Sequence, residues 1–150
     1  MTHSQTWKSI IDYLKAGWSL LGPLVGVLVG AWLARSWDKQ KWLSDNRKQE
    51  CRELLTAVTH AATAILDRDT GTDVLSQMRK QALANDAYLI SLKVFQDRIF
   101  IAGDVERAKL FDMWPVAVNR YNSTKDRNEF DDCFEQIKKK IVQIAIGTSR

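Results

Sequence analysis

The side chains that most often do chemistry are few in this sequence, and their spacing does not favour reaction. Cys51 and His60 could form a thiolate–imidazole pair only if they shared a face. Their separation on one helix puts them on different faces at about 100° per residue. His3 lies at the extreme N-terminus, and "DDCFE" at 131–135 lacks the paired spacing of a metal site. There is no glycine-rich phosphate loop after a strand and no nucleophile motif. The expectation is no catalytic residue, no metal ligand and no cofactor. What remains is charge. Arg35, Lys39, Lys41, Arg47, Lys48 and Arg52 face only Asp38, Asp45 and Glu50, whereas residues 53–150 are charge-balanced. Lys41, Lys48 and Arg52 are the candidate anion-binding residues. Their partners could be anionic lipid headgroups, worth roughly 1 kcal/mol per basic side chain near the surface. A multivalent anion such as a single-stranded oligonucleotide is the sharper reading, and its binding would fall steeply with salt.

These cations need an element to hold them, and it begins upstream. Residues 16 to 34 carry no charge and are bounded by Lys15 and Arg35. At a rise of ~1.5 Å per residue they span about 28 Å, close to the hydrocarbon thickness of a bilayer. Trp18 stands near one end, and Trp32 and Trp37 near the other, as interfacial aromatics do. The expected domains are an amphipathic N-terminal segment at 1–15, a transmembrane helix at 16–36 and a helical domain at 37–150. The excess of Lys and Arg after the span places the C-terminal part in the cytoplasm and the N-terminus outside, a single-pass layout. Two cysteines without paired spacing agree with a reducing compartment.

Within "GPLVGVLVGAWLAR" the small residues Gly22, Gly26, Gly30 and Ala34 recur every fourth position. Glycine costs a helix in water roughly 1 kcal/mol against alanine. In lipid, such a row permits close backbone packing between helices. The chain has no second long apolar run, so the expected neighbour is another copy. If the helix continues unbroken, Gly22, Gly26 and Gly30 share a face with Trp37, Lys41, Ser44 and Lys48. The cations would then approach the axis of an oligomer as rings of like charge, which a polyanion between them would relieve.

The remainder reads as helices. Cys51, Leu54, Val58, Ala61 and Ile65 form an apolar stripe, with Gly71 closing that helix and Thr72 or Asp73 capping the next. The second helix is expected to reach about Ala102, with Leu75, Met78, Ala82, Leu89, Leu92 and Ile99 as its buried stripe. Gly103 should end it and Asp104 should cap a third helix, which carries Leu110, Phe111, Trp114, Val118 and Tyr121 and is bent at Pro115. Ser123 or Thr124 is expected to cap the last helix, with Phe130, Phe134, Ile137, Ile141 and Ile144 inward and Gly147 as its stop. Lys138, Lys139 and Lys140 read as a solvated face. The fold class is all-α: a single transmembrane helix followed by a cytoplasmic antiparallel bundle of about four helices.

The order of a short N-terminal span, then "WLSDNRKQECRELL" (42–55), then "DRIFIAGD" (97–104), resembles a group of small bacterial single-span membrane proteins with a helical cytoplasmic domain. Proteins of this layout occur as effectors of anti-phage defence. The Hailong effector class among them is a membrane oligomer held inactive by single-stranded DNA oligomers, and the similarity to it is one of architecture. The resemblance implies a homo-oligomeric membrane effector that gates or disrupts the bilayer under an oligonucleotide-type signal. The alternative is a membrane-anchored scaffold for a protein partner encoded nearby.

Overall fold

In the computed structural model, residues 3–70 and 73–147 are described, the side chains of 3–24 excepted. The chain is all-helical, with no strand among the described residues: α1 (His3–Arg68), α2 (Val74–Gln96), α3 (Ala102–Arg107), α4 (Leu110–Thr124) and α5 (Arg127–Ala145). It divides into two compact units, Met1–Trp42 and Leu43–Arg150. Among the described residues no helix is long and apolar enough to cross a membrane. The side chains of 16–24, where the expected span begins, lie outside the described residues, as do those of the 1–15 segment, Gly22 and Pro23.

The second unit is built on the C-terminal part of α1. Cys51, Leu54, Val58, Ala61, Ala62 and Ile65 are buried, the stripe that steps of three and four foretold. Charged pairs give the directions of the other helices. Lys80 near the start of α2 meets Asp67 at 3.3 Å, and Arg98 just past its end meets Glu53 at 2.7 Å, so α2 runs antiparallel to α1. Tyr121 near the end of α4 donates to Asp69 at 3.0 Å, and Arg47 donates to the Ile144 carbonyl near the end of α5 at 2.9 Å. The four long helices therefore alternate up and down, with α3 as a short link.

Trp114 is the centre of this core, with 0% exposure. Its indole N–H donates to Ser91 Oγ at 2.8 Å, and Ser91 in turn donates to the Tyr88 carbonyl at 2.6 Å. The rings of Tyr88, Phe130 and Phe134 lie 6.3, 6.2 and 6.4 Å from the Trp114 ring. The apolar face of α5 is confirmed: Phe130, Ile137, Ile141 and Ile144 are buried, and Phe134 is partly so.

Several local expectations are corrected. Helix α2 stops at Gln96, and Gly103 and Asp104 lie inside α3 instead of ending and starting helices. The cause is distant in sequence. The Glu50 carboxylate accepts from the backbone N–H groups of Ile99, Phe100 and Ile101 at 3.0, 2.9 and 3.2 Å. Those donors cannot also serve a continuing helix. The buried side of α2 is Ala84, Ala87, Ser91 and Phe95, whereas Leu75, Met78 and Leu89 point outward. Asp73 caps α2, accepting from the Ser76 N–H at 2.7 Å in a capping box; Gly71 and Thr72 lie outside the described residues. Asp126, not Ser123 or Thr124, caps α5 through the N–H groups of Asn128 and Glu129. Lys125, in the left-handed region at φ 57, turns the chain out of α4 first. Gly147, at φ +72, occupies the left-handed position after α5 for which glycine is suited.

Candidate functional site

In the first unit, the described part of α1 carries apolar side chains at successive positions. Val25, Val27, Leu28 and Trp32 are 55%, 70%, 66% and 70% exposed, and Val29 and Leu33 are also exposed. At about 100° per residue these positions surround the helix, unlike the single stripe of a helix resting on a soluble core. A Cβ added at Gly26 or Gly30 would meet nothing within 4 Å. The row thus offers open backbone surface at Gly26 and Gly30, continued by exposed Ala34.

Lys41 belongs to the first unit. Lys48 and Arg52 belong to the second, one turn apart on α1 and on one face. All three are exposed. None makes an ion pair with the described residues, although acidic side chains stand close in sequence. The folding of the second unit occupies two of those acids. Glu50 is engaged with the 99–101 backbone and Glu53 with Arg98. Hydrogen bonds from Arg98 and then Gln49 hold the Glu53 carboxyl below its ordinary value. Glu50 and Glu53 are thus used on the side of α1 that meets the α2–α3 link, whereas Asp38 and Asp45 make no ion pair with the described residues.

Arg47, a member of the same basic run, is not available to a ligand in this way. It pairs with Asp104 at 2.6 Å and donates to the Ile144 carbonyl, joining α1, α3 and α5. Arg107 is the second cation on Asp104. The expectation of a fully solvated Lys138–Lys140 face is likewise corrected. Lys140 donates to the Ala108 carbonyl at 2.8 Å, while Lys138 pairs with Glu135 and lies over the Phe134 ring.

Lys48 stands between two clefts beside the C-terminal end of α5. One, about 580 Å³, is lined by Leu43, Ser44, Arg47, Phe100 and Ile146. The other, about 270 Å³, is lined by Arg52, Leu55, Val142 and Ile146. Two cations beside exposed Val142 and Ile146 could hold an anionic group next to an apolar or planar one. This apolar flank was not foreseen, because it depends on which residues of α5 reach α1.

The other reactive candidates are apart. Cys51 is buried, and burial pushes its thiol above the ordinary value despite Arg47 nearby. His60 is exposed. At the far end of α1, burial acts to raise the Asp69 carboxyl, but hydrogen bonds from Lys125, Tyr121 and Arg68 outweigh it and hold it low. Among the described residues no three His, Cys, Asp or Glu side chains gather to hold a metal ion. Comparison with protein-family models, curated proteins and solved structures finds no match for this chain.

Proposed function

We propose that this chain is a homo-oligomeric membrane effector of a bacterial inner membrane, gated from the cytoplasmic side by a multivalent anion of the oligonucleotide class. The observation that carries the reading is the apolar surface on all sides of α1 between Val25 and Leu33. Such a surface in water is costly, at about 25 cal/mol per Å². In lipid it is at home, and the Gly22, Gly26, Gly30 and Ala34 row becomes the contact between copies. The basic flank that follows orients the chain with its C-terminus inside. Lys41, Lys48 and Arg52, left without ionic partners among the described residues, are the groups that meet the anion.

Topology and assembly test this reading together. A C-terminal reporter that is active only outside the inner membrane should stay silent in cells, and one that is active only in the cytoplasm should give full signal. The opposite pattern overturns the orientation. Gly26→Leu places a bulky side chain where backbones approach and should weaken association by about 1–3 kcal/mol. An unchanged oligomer size in detergent for both Gly26→Leu and Gly30→Leu rejects the packing row.

A further inference from the structure

Helix α2 has apolar residues on two sides. Ala84, Ala87, Ser91 and Phe95 face the core. Away from them, Leu75, Met78, Ala82, Asn85, Leu89 and Leu92 follow steps of three and four; the last, Leu92, is half-buried and also touches the core. This is a strict heptad seam, the narrow stripe of a coiled coil, with one polar residue at Asn85. Leu75, Met78 and Leu89 are 59%, 66% and 63% exposed, so the bundle does not use them.

We infer that this seam is a contact surface for α2 of a second copy of the chain, packed antiparallel across a two-fold axis. The charges beside the seam select the occupant. Positions that follow the second seam residue of each heptad carry Arg79, then Asp86, then Lys93. Arg79 and Asp86 are exposed, and neither pairs with the described residues. An antiparallel copy whose layers are Leu75 on Leu92, Met78 on Leu89 and Ala82 on Asn85 brings Arg79 of each helix beside Asp86 of the other. A two-fold axis makes that ion pair twice, so the surface is complementary to itself. Asn85 falls next to Ala82, where its amide reaches the edge of the seam; its carbonyl already accepts from Gln81 at 3.0 Å. An open cleft of about 860 Å³ between α2 and the ends of α1 and α4 is lined in part by Met78, Ala82 and Asn85 of this stripe. This contact lies wholly in the second unit and is independent of the glycine row.

The test uses the full chain in detergent with Gly26→Leu and Gly30→Leu together, so that the row at 22–34 is silenced. Its mass by light scattering should be that of a dimer. Arg79→Asp or Asp86→Arg alone sets like charges together twice and should weaken the dimer by about tenfold or more. Arg79→Asp with Asp86→Arg should restore it. Leu89→Lys should give monomers with unchanged helix content, because Leu89 is exposed. A monomeric glycine variant, a charge reversal without effect or a double reversal without rescue overturns the seam. A glycine variant that keeps the full wild-type assembly counts against the glycine row instead, and the charge swap then decides the seam alone.

Discussion

Trp114→Ala should destabilise the helical unit by about 3–5 kcal/mol, the range for removing a large buried aromatic side chain. Trp114 is fully buried at the meeting of three helices, with Tyr88, Phe130 and Phe134 around its ring. The substitution leaves a cavity, and it also strips Ser91 Oγ of its indole donor in a site with 0% exposure. Trp37, 74% exposed, gives the contrast: Trp37→Ala should change stability by no more than about 0.5 kcal/mol. Urea unfolding followed by far-ultraviolet circular dichroism measures both. A loss below about 1.5 kcal/mol for Trp114→Ala would mean that the core is not organised around it.

Charge reversal at the three proposed anion-binding cations should remove oligonucleotide binding while leaving the fold intact. Lys41→Glu, Lys48→Glu and Arg52→Glu alter exposed side chains without ion-pair partners among the described residues. Each cation that neutralises a phosphate of a single strand contributes about 0.7 to the slope of log affinity against log salt. The triple variant should therefore lose both the affinity at low salt and most of the salt dependence. Lys138→Glu with Lys139→Glu should keep both. Titration with a labelled single-stranded oligonucleotide at two salt concentrations reads the outcome. Equal binding by the triple variant and the wild type removes these cations from the proposal, and binding to anionic vesicles alone assigns them to lipid headgroups.

The fold was legible wherever helix periodicity and local chemistry agreed. Cys51 to Ile65 and Phe130 to Ile144 repeat every three or four residues, and both stripes are buried. Asp73 is a good cap beside a following apolar run. Reading failed where a remote partner decided the outcome. Nothing between Asp97 and Ile101 signals a break, because the carboxylate that captures those N–H groups belongs to Glu50, on another helix. The strings at 42–55 and 97–104 look unrelated, yet Arg47, Glu50 and Glu53 of the first bind Asp104, the 99–101 backbone and Arg98 of the second. They are two halves of one contact.

The phase of α2 was misread for a different reason. A hydropathy stripe selects Leu75, Met78 and Leu89, whereas the bundle takes Ala84, Ala87 and Ser91, small side chains that let helices approach. Of the expected stripe, Leu92 does pack against the core, while Leu75, Met78, Leu89 and Ile99 are exposed. The candidate site was legible as to residue type, since the excess of Lys and Arg is plain in the sequence. Which cations stay free was not, because Arg47 and Lys140 are claimed by Asp104 and by the Ile144 and Ala108 carbonyls, partners far along the chain.

Dye efflux from sealed vesicles that carry the full chain tests the central claim most directly. The vesicles hold a self-quenched fluorophore, the protein is inserted with its C-terminus outward, and a single-stranded oligonucleotide is added outside at low salt. The account predicts efflux whose rate changes with the oligonucleotide, loses that response in the Lys41→Glu, Lys48→Glu, Arg52→Glu variant and falls in Gly26→Leu. Vesicles that stay sealed with and without the oligonucleotide, although the protein is inserted, would contradict it.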